Sequence, residues 1–131
     1  MVRMRSHAAK HDVYRVLCSA GVAMSAYKIL DAVRPCGISA PIIVYRALKL
    51  LVQQGRAHHL ETINAYVARA APPSHFGIPI LAICSDCGVV DELFDDSIVQ
   101  RLQANRDFKI NSKAIEVKGQ CIACQTLHSS L

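Results

Sequence analysis

The 131-residue sequence predicts an α+β protein made of two small domains joined by a short linker. Helical patterns and a hairpin precede two adjacent prolines, Pro72 and Pro73, and a segment bounded by two cysteine pairs follows them. The charge changes at the same place: residues 1–70 carry ten Lys and Arg against three acidic residues, whereas residues 71–131 carry five against seven. We therefore predict domains at 1–69 and 79–131, with 70–78 as the linker.

The composition excludes several classes of protein. With 52% hydrophobic residues the chain is too apolar to be disordered, and no apolar run approaches the roughly 18 residues of a transmembrane helix. The first 13 residues carry four charged residues and lack the apolar stretch of a secretory signal, so we expect a cytoplasmic protein. We find no paired nucleophile and base, no phosphate-binding loop and no open catalytic metal site, and therefore expect no enzyme.

Three helices are predicted in the first domain. From about His7 to Ser19 the apolar residues recur at helical spacing. Ser25 is a suitable N-cap for a second helix, which ends before Pro35. Pro41 suits the first turn of a third helix, and Gly55 suits the left-handed position just past its end.

The third helix carries two stripes of residues at helical spacing. One stripe is apolar and is expected to face the core: Val44, Ala47, Leu48 and Leu51. The other combines an aromatic residue, two cations and an apolar residue: Ile42, Tyr45, Arg46 and Lys49. Arg can bind guanine edges in the DNA major groove, and Tyr and Ile can touch thymine methyl groups. This second stripe predicts a DNA-reading surface, although a solvated amphipathic helix has the same pattern.

Two short extended runs follow the third helix, at Arg56–Glu61 and Ala65–Ala68, and Asn64 suits the turn between them. Three helices and a hairpin make a winged helix, in which the third helix enters the major groove and the hairpin is the wing. Because this half is also strongly basic, we predict that it binds double-stranded DNA. His58 and His59 lie on the first wing strand and point to opposite faces.

The second domain contains two C-x2-C pairs separated by 33 residues: Cys84 and Cys87, then Cys121 and Cys124. Each pair turns two thiolates toward one point, and two pairs complete a tetrahedral zinc site. Thioredoxin-like redox chemistry needs only one pair, and disulfides are rare in the cytosol. We therefore predict one structural zinc ion per protomer. Four cysteines leave no open coordination position, so this zinc is expected to stabilise the fold and to do no chemistry.

Between the cysteine pairs the sequence predicts a helix from Asp91 to Asn105 and strands at Phe108–Ile110 and Lys113–Lys118. Four apolar residues of this region are expected to face inward: Leu93, Phe94, Ile98 and Leu102. The remaining cysteines, Cys18 and Cys36, have no partner spacing, and we expect Cys18 to lie in the core.

The order of these features resembles the ferric uptake regulator (Fur) family. The matching stretches span nearly the whole chain: Ser25-Ala26-Tyr27, Val44-Tyr45-Arg46-Ala47-Leu48, Gln54-Gly55, Asn64-Ala65-Tyr66-Val67, Ile83-Cys84 through Cys87-Gly88, and Gly119-Gln120-Cys121-Ile122-Ala123-Cys124. Among the branches of the family, the chain is most similar to the zinc uptake regulators (Zur). The His-rich cluster that iron and peroxide sensors of the family place before the first cysteine pair is missing here.

The resemblance implies a homodimeric, metal-responsive transcriptional repressor, with zinc as the expected metal, that binds AT-rich palindromic operators and dimerises through its second domain. It implies that Tyr45 and Arg46 contact DNA and that the four cysteines hold the structural zinc. It also implies a second, regulatory metal between the domains. In this sequence the positions of its four ligands fall on His58, Arg69, Gly77 and Glu92, with His75 two residues before the glycine.

Because Arg69 cannot ligate a metal, the candidate regulatory ligands are His58, His75 and Glu92, completed by water or by His59. Alternatively, Arg69 places a fixed positive charge where the metal would lie. Two other functions stay open at this point. One is a divergent member of the family that keeps only structural zinc and responds to another signal, and the other is a zinc-stabilised protein-interaction module.

Overall fold

In the computed structural model the chain divides into two compact units, Met1–Ala70 and Ala71–Leu131. The structure describes residues 2–70, 77–106, 108–111 and 114–129. Most of the predicted linker, including His75, lies outside the described residues. Among the described residues no single helix is long and apolar enough to cross a membrane, and one bent pair of helices passes by length and composition only.

The first unit contains three helices within residues 2–70: α1 (Val2–Ala20), α2 (Ala26–Val33) and α3 (Pro41–Gln53). They confirm the three predicted helices, although α1 begins earlier than its apolar pattern indicated. The cap of α2 is also confirmed, because the Ser25 hydroxyl accepts a hydrogen bond from the Lys28 N–H at 3.2 Å. A turn of 3-10 helix at Arg34–Cys36 follows α2 and ends at Gly37, whose φ is +90°.

The predicted apolar stripe of α3 is confirmed, since Val44, Ala47, Leu48 and Leu51 are all at most 2% exposed. They pack in one core with the buried faces of α1 and α2. Just past α3, Gly55 has a φ of +71°, which a residue with a Cβ rarely adopts. The helix therefore ends where the sequence predicted, and its buried face fixes which side chains point outward.

The wing consists of β1 (Ala57–Leu60) and β2 (Ala65–Ala68), which pair antiparallel. Asn64 makes the turn with a φ of +48°, as its side chain permits. Tyr66 is hydrogen-bonded to Met24 through both its backbone N–H and its carbonyl, each at 2.8 Å. These two bonds tie the hairpin to the residue that precedes the cap of α2, and the unit is a winged helix.

In the described part of the second unit, three strands form one sheet: β3 (Pro79–Cys84), β4 (Val90–Phe94) and β5 (Ile115–Gly119), in the order β4-β3-β5. The pairing of β3 is antiparallel with β4 and parallel with β5, and Cys84 lies opposite Gly119. Two helices complete the unit, α4 (Asp96–Arg106) and α5 (Ile122–Ser129).

The helix predicted from Asp91 is wrong over its first residues, because Val90–Phe94 is strand β4 and α4 begins only at Asp96. Pairing with β3 after a tight turn overrides the local helical pattern. The strand predicted at Phe108–Ile110 is also wrong, since these residues are irregular. The strand predicted at Lys113–Lys118 is present as β5, two residues later at its start, and Lys113 itself lies outside the described residues.

The side chains expected to face inward are mostly exposed in the single chain. Leu93 is 56% exposed, and Ile98 and Leu102 are 43% and 44% exposed, whereas Phe94 is half-buried. The reason is that β4 is an edge strand and α4 covers little of the sheet. Cys18 is also exposed, on the outer side of α1, so its prediction as a core residue is wrong.

Candidate metal centre and nucleic-acid interface

Two adjacent parallel strands bring the four cysteines together. Cys84 is the last residue of β3, and β5 ends opposite it at Gly119, two residues before Cys121. Both C-x2-C turns therefore begin at the same edge of the sheet. The four sulfur atoms lie within 4.8 Å of one another, and the Cys87 and Cys121 sulfurs are 3.7 Å apart. Two sulfurs bound tetrahedrally to one zinc ion at about 2.3 Å lie about 3.8 Å apart.

The electrostatic surroundings of the sulfurs also suit a cation. The backbone N–H groups of Cys121 and then of Cys87 point at the Cys84 sulfur and lower the pKa of this thiol to about 6. By contrast, the pKa of Cys124 is raised, first because its thiol donates to Cys121 and second because it is buried. One thiolate is thus ready at neutral pH, and a bound zinc ion would displace the protons of the others. The donor set fits zinc.

The second predicted surface lies on the solvent side of α3. Ile42, Tyr45, Arg46 and Lys49 are all exposed, with Ile42 at 55% and Tyr45 at 48%. Neither Arg46 nor Lys49 enters an ion pair with another residue in the described part of the chain. The cations are therefore available to phosphates and base edges, which is the arrangement of a helix that reads the major groove.

Tyr27 was not predicted from the sequence as part of this surface. It is 75% exposed and lines a shallow groove between α2 and α3 together with Pro41 and Tyr45. A large aromatic residue left outside the core next to the α3 stripe extends the same face. The signal that could have found it is its place two residues after the cap Ser25, where the buried stripe of α2, Ile29, Leu30 and Val33, leaves it outward.

The chain resembles known proteins both in sequence and in fold. A scan against models of protein families matches none. The chain is 35% identical over 119 residues to the zinc uptake regulation protein of Escherichia coli K12, covering 86% of this chain and 68% of that protein. It belongs to the Fur family, in the Zur branch.

Solved structures of zinc uptake regulators share the fold. One, a zinc uptake regulator complexed with zinc and DNA, has a TM-score of 0.81 at 30% identity and covers 92% of this chain and 83% of that chain. Another, holo XcZur, has a TM-score of 0.78 at 36% identity and covers 90% and 84%. The predicted fold class is confirmed, and zinc is the ion of the four-cysteine site. Membership in a family of regulators also agrees with the prediction that the chain is no enzyme.

The residues predicted for a regulatory metal belong to different parts of this chain. His58 is half-buried in the first unit, Glu92 is half-buried in the second, and His75 lies outside the described residues. His59 is engaged elsewhere: its Nε2 lies 3.1 Å from the Asn64 side-chain oxygen, and its ring stacks on that of Tyr66 at 4.6 Å. The three candidate ligands therefore stay a prediction.

Arg69 does not fit the role of a ligand. A guanidinium has no lone pair to offer a metal, and Arg69 is turned back toward α3, with Nη1 3.5 Å from the Gly55 carbonyl oxygen. Its backbone N–H donates to the Arg56 carbonyl at 3.0 Å. Arg69, which directly follows the wing, is thus held at the end of α3 by its own side chain and cannot be one of the regulatory ligands.

Proposed function

We propose that this chain is a zinc-responsive transcriptional repressor that acts in the cytoplasm and binds palindromic operator DNA as a homodimer. The observation that carries the proposal is the exposed stripe of Ile42, Tyr45, Arg46 and Lys49 on α3 of a winged helix. A structural neighbour with a TM-score of 0.81 is a zinc uptake regulator complexed with zinc and DNA, which supports it. Occupation of the operator by the dimer would block the promoter.

Each side chain of the stripe has a distinct part in reading DNA. The Arg46 guanidinium can donate two hydrogen bonds to the O6 and N7 atoms of guanine. Tyr45 and Ile42 present apolar surface to thymine methyl groups, which favours AT-rich operators, and Lys49 lies one turn further along and can neutralise a phosphate. We add Tyr27 to this surface because it shares the groove with Tyr45.

The homodimer is supported by the second unit. Large apolar side chains are costly to leave in water on a small unit. The described part of this unit exposes six of them: Leu93, Ile98, Leu102, Phe108, Val117 and Ile122. Their burial against a second copy would form a homodimer in which a two-fold axis relates the two α3 helices. One recognition helix reads too few base pairs for specificity, and two of them read paired half-sites.

Two roles for zinc follow from the residues. The structural ion is bound by Cys84, Cys87, Cys121 and Cys124, and when bound it supplies the cross-link that holds β3, β5 and α5 together. The regulatory ion would be bound by His58, His75 and Glu92. The zinc content per protomer, measured before and after mild chelation, tests this.

The test is the affinity of the full-length, zinc-loaded protein for an AT-rich palindromic duplex, measured by fluorescence anisotropy over a series of salt concentrations. Arg46→Ala should weaken binding by roughly 30-fold or more, because the homodimer loses one bidentate base contact in each protomer and each contact contributes about 1–3 kcal/mol. The control is Arg101→Ala, which removes an exposed arginine from α4 and should bind like wild type. Equal affinities of the two variants, together with a flat salt dependence, would favour the protein-interaction module instead.

A further inference from the structure

A hydrogen bond that involves neither a cysteine nor the metal joins the two zinc-binding turns. Gln120 Nε2 donates to Asp86 Oδ2 at 2.8 Å. Asp86 lies inside the first C-x2-C turn, and Gln120 immediately precedes Cys121. Because an ionised carboxylate only accepts hydrogen bonds, the direction of this bond is fixed. Its charged acceptor makes it stronger than a bond between two neutral groups.

Both partners are held in place by neighbouring hydrogen bonds. Ser85, the residue before Asp86, donates its N–H to the Gly119 carbonyl at 2.8 Å, which continues the pairing of β3 with β5 beyond the strand ends. On the other turn, Gln125 Nε2 donates to the Gln120 carbonyl at 2.8 Å. The carboxylate and the amide therefore meet as parts of two anchored backbone segments, one from each half of the zinc site.

We propose that Asp86 and Gln120 are a positioning pair that holds the two C-x2-C turns at the separation zinc requires and thereby slows release of the ion. For zinc to leave, the thiolates of the two turns must separate. A tie between the turns keeps the four sulfurs close when one zinc–sulfur bond opens, so that the bond re-forms before the others break. Neither residue ligates the ion. The proposal rests on zinc at the four cysteines and is independent of DNA binding.

The expected size of the effect follows from other metal sites, where loss of a partner that orients the ligands costs roughly 10- to 100-fold in metal affinity. Asp86 and Gln120 are exposed, and water competes for exposed hydrogen bonds. We therefore expect an effect near the lower end of that range, with zinc released about tenfold faster when the bond is removed.

The experiment measures the rate of zinc transfer from the full-length, zinc-loaded protein to an excess of a chromophoric chelator, without DNA. Asp86→Ala and Gln120→Ala should each release zinc about tenfold faster than wild type. The double variant should be no faster than either single one, because both remove the same interaction. Asp86→Asn keeps an oxygen that can accept from Gln120, although without the charge, and should release zinc only about threefold faster than wild type. Asp91→Ala, which removes an exposed carboxylate from β4, is the control.

Three results would overturn the proposal. Release from Asp86→Ala at the rate of wild type and of Asp91→Ala would show that the bond does not retain zinc. Release from Asp86→Asn as fast as from Asp86→Ala would assign the effect to the charge. Multiplying effects in the double variant would show that the residues act separately. If Asp86→Ala cannot be purified with zinc, Gln120→Ala carries the same test, because it removes the donor and leaves the first turn unaltered. If the wild-type protein fails to bind operator DNA while the variants release zinc at the rates expected here, only the proposed function is contradicted.

Discussion

Arg69 stands at one of the four ligand positions that the resemblance to zinc uptake regulators implies for a regulatory metal. The resemblance to zinc uptake regulators places a cysteine ligand at this position, whereas the arginine directs its guanidinium at the Gly55 carbonyl. A Cβ on Gly55 would lie 3.2 Å from Arg69 Nη1, so the glycine leaves the room that this contact uses. Arg69, the first residue after the wing, is therefore held at the end of α3 by its own guanidinium group.

Replacing Arg69 with a thiol tests whether this position limits regulatory zinc binding. We expect Arg69→Cys to retain a second zinc ion per protomer after mild chelation that leaves wild type with only its structural ion, because a thiolate completes a donor set of two histidines and a glutamate. Zinc content by atomic emission measures this, with Arg69→Lys as the control that keeps the charge and adds no strong ligand. Equal zinc contents in all three proteins would mean that Arg69 does not limit the site.

At the scale of the elements, the start of α4 depends on Asp95. Its Oδ1 accepts hydrogen bonds from the Ser97 hydroxyl at 2.6 Å and from the Ser97 N–H at 2.9 Å, which is N-cap geometry. These bonds, the hydroxyl first, hold the pKa of Asp95 below its ordinary value. A lowered pKa in the folded state means that the stabilisation is present above the ordinary pKa and is lost only as the pH falls through the folded value.

The cap predicts a difference between two substitutions of Asp95. At pH 7 the carboxylate is ionised and its contribution is fully present, so Asp95→Ala should lower the thermal midpoint of the zinc-loaded protein by roughly 2–4 °C. Asp95→Asn should lower it much less, because asparagine also caps helices well. Circular dichroism at 222 nm measures both midpoints. Equal losses from the two variants would show that the Ser97 bonds do not stabilise α4.

The elements that the sequence predicted correctly are those whose boundaries are set locally. Ser25 caps α2 and Pro41 and Gly55 bound α3 through interactions within a few residues of each. Strand β4 could not be predicted in this way, because Val90–Phe94 becomes a strand through its pairing with β3. The Asp95 cap, however, is a sequence signal that could have corrected the start of α4.

The same distinction between local and long-range interactions applies to the candidate sites. The spacing of the cysteines and of the α3 stripe predicted both surfaces, because each pattern is a local one. The bond between Asp86 and Gln120 joins residues 34 apart in the chain, and it depends on the register that places Cys84 opposite Gly119. That register comes from the packing of the sheet, and no pattern in the sequence contains it.

At the scale of the whole molecule, the two units differ in what stabilises them. The described part of the first has fifteen buried apolar residues, drawn from its three helices, the wing and the loop before α3. In the described part of the second, the buried residues are Pro79, Leu81, Ile83, Cys84 and Cys124, and two of these five are zinc ligands. We therefore expect zinc binding, at about 10–16 kcal/mol in small zinc domains, to be the main source of stability within the second unit.

Removal of zinc should accordingly unfold one unit and spare the other. After exhaustive chelation, hydrogen exchange followed by mass spectrometry should show lost protection in peptides from residues 77–129 and retained protection in α1 and α3. Re-addition of zinc should restore protection, which separates loss of the ion from irreversible damage. Unfolding of both units together, or of neither, would contradict this division of stability.

A zinc-responsive repressor requires that zinc control the binding of this protein to operator DNA. The most direct measurement is its affinity for the palindromic duplex at a series of buffered free zinc concentrations, with the structural zinc retained throughout. We expect the affinity to rise with free zinc by roughly 5- to 150-fold, the usual range of coupling between two binding sites. An affinity that is high and constant across the whole zinc range would contradict a zinc-responsive repressor and would identify a divergent member of the family that keeps only its structural zinc.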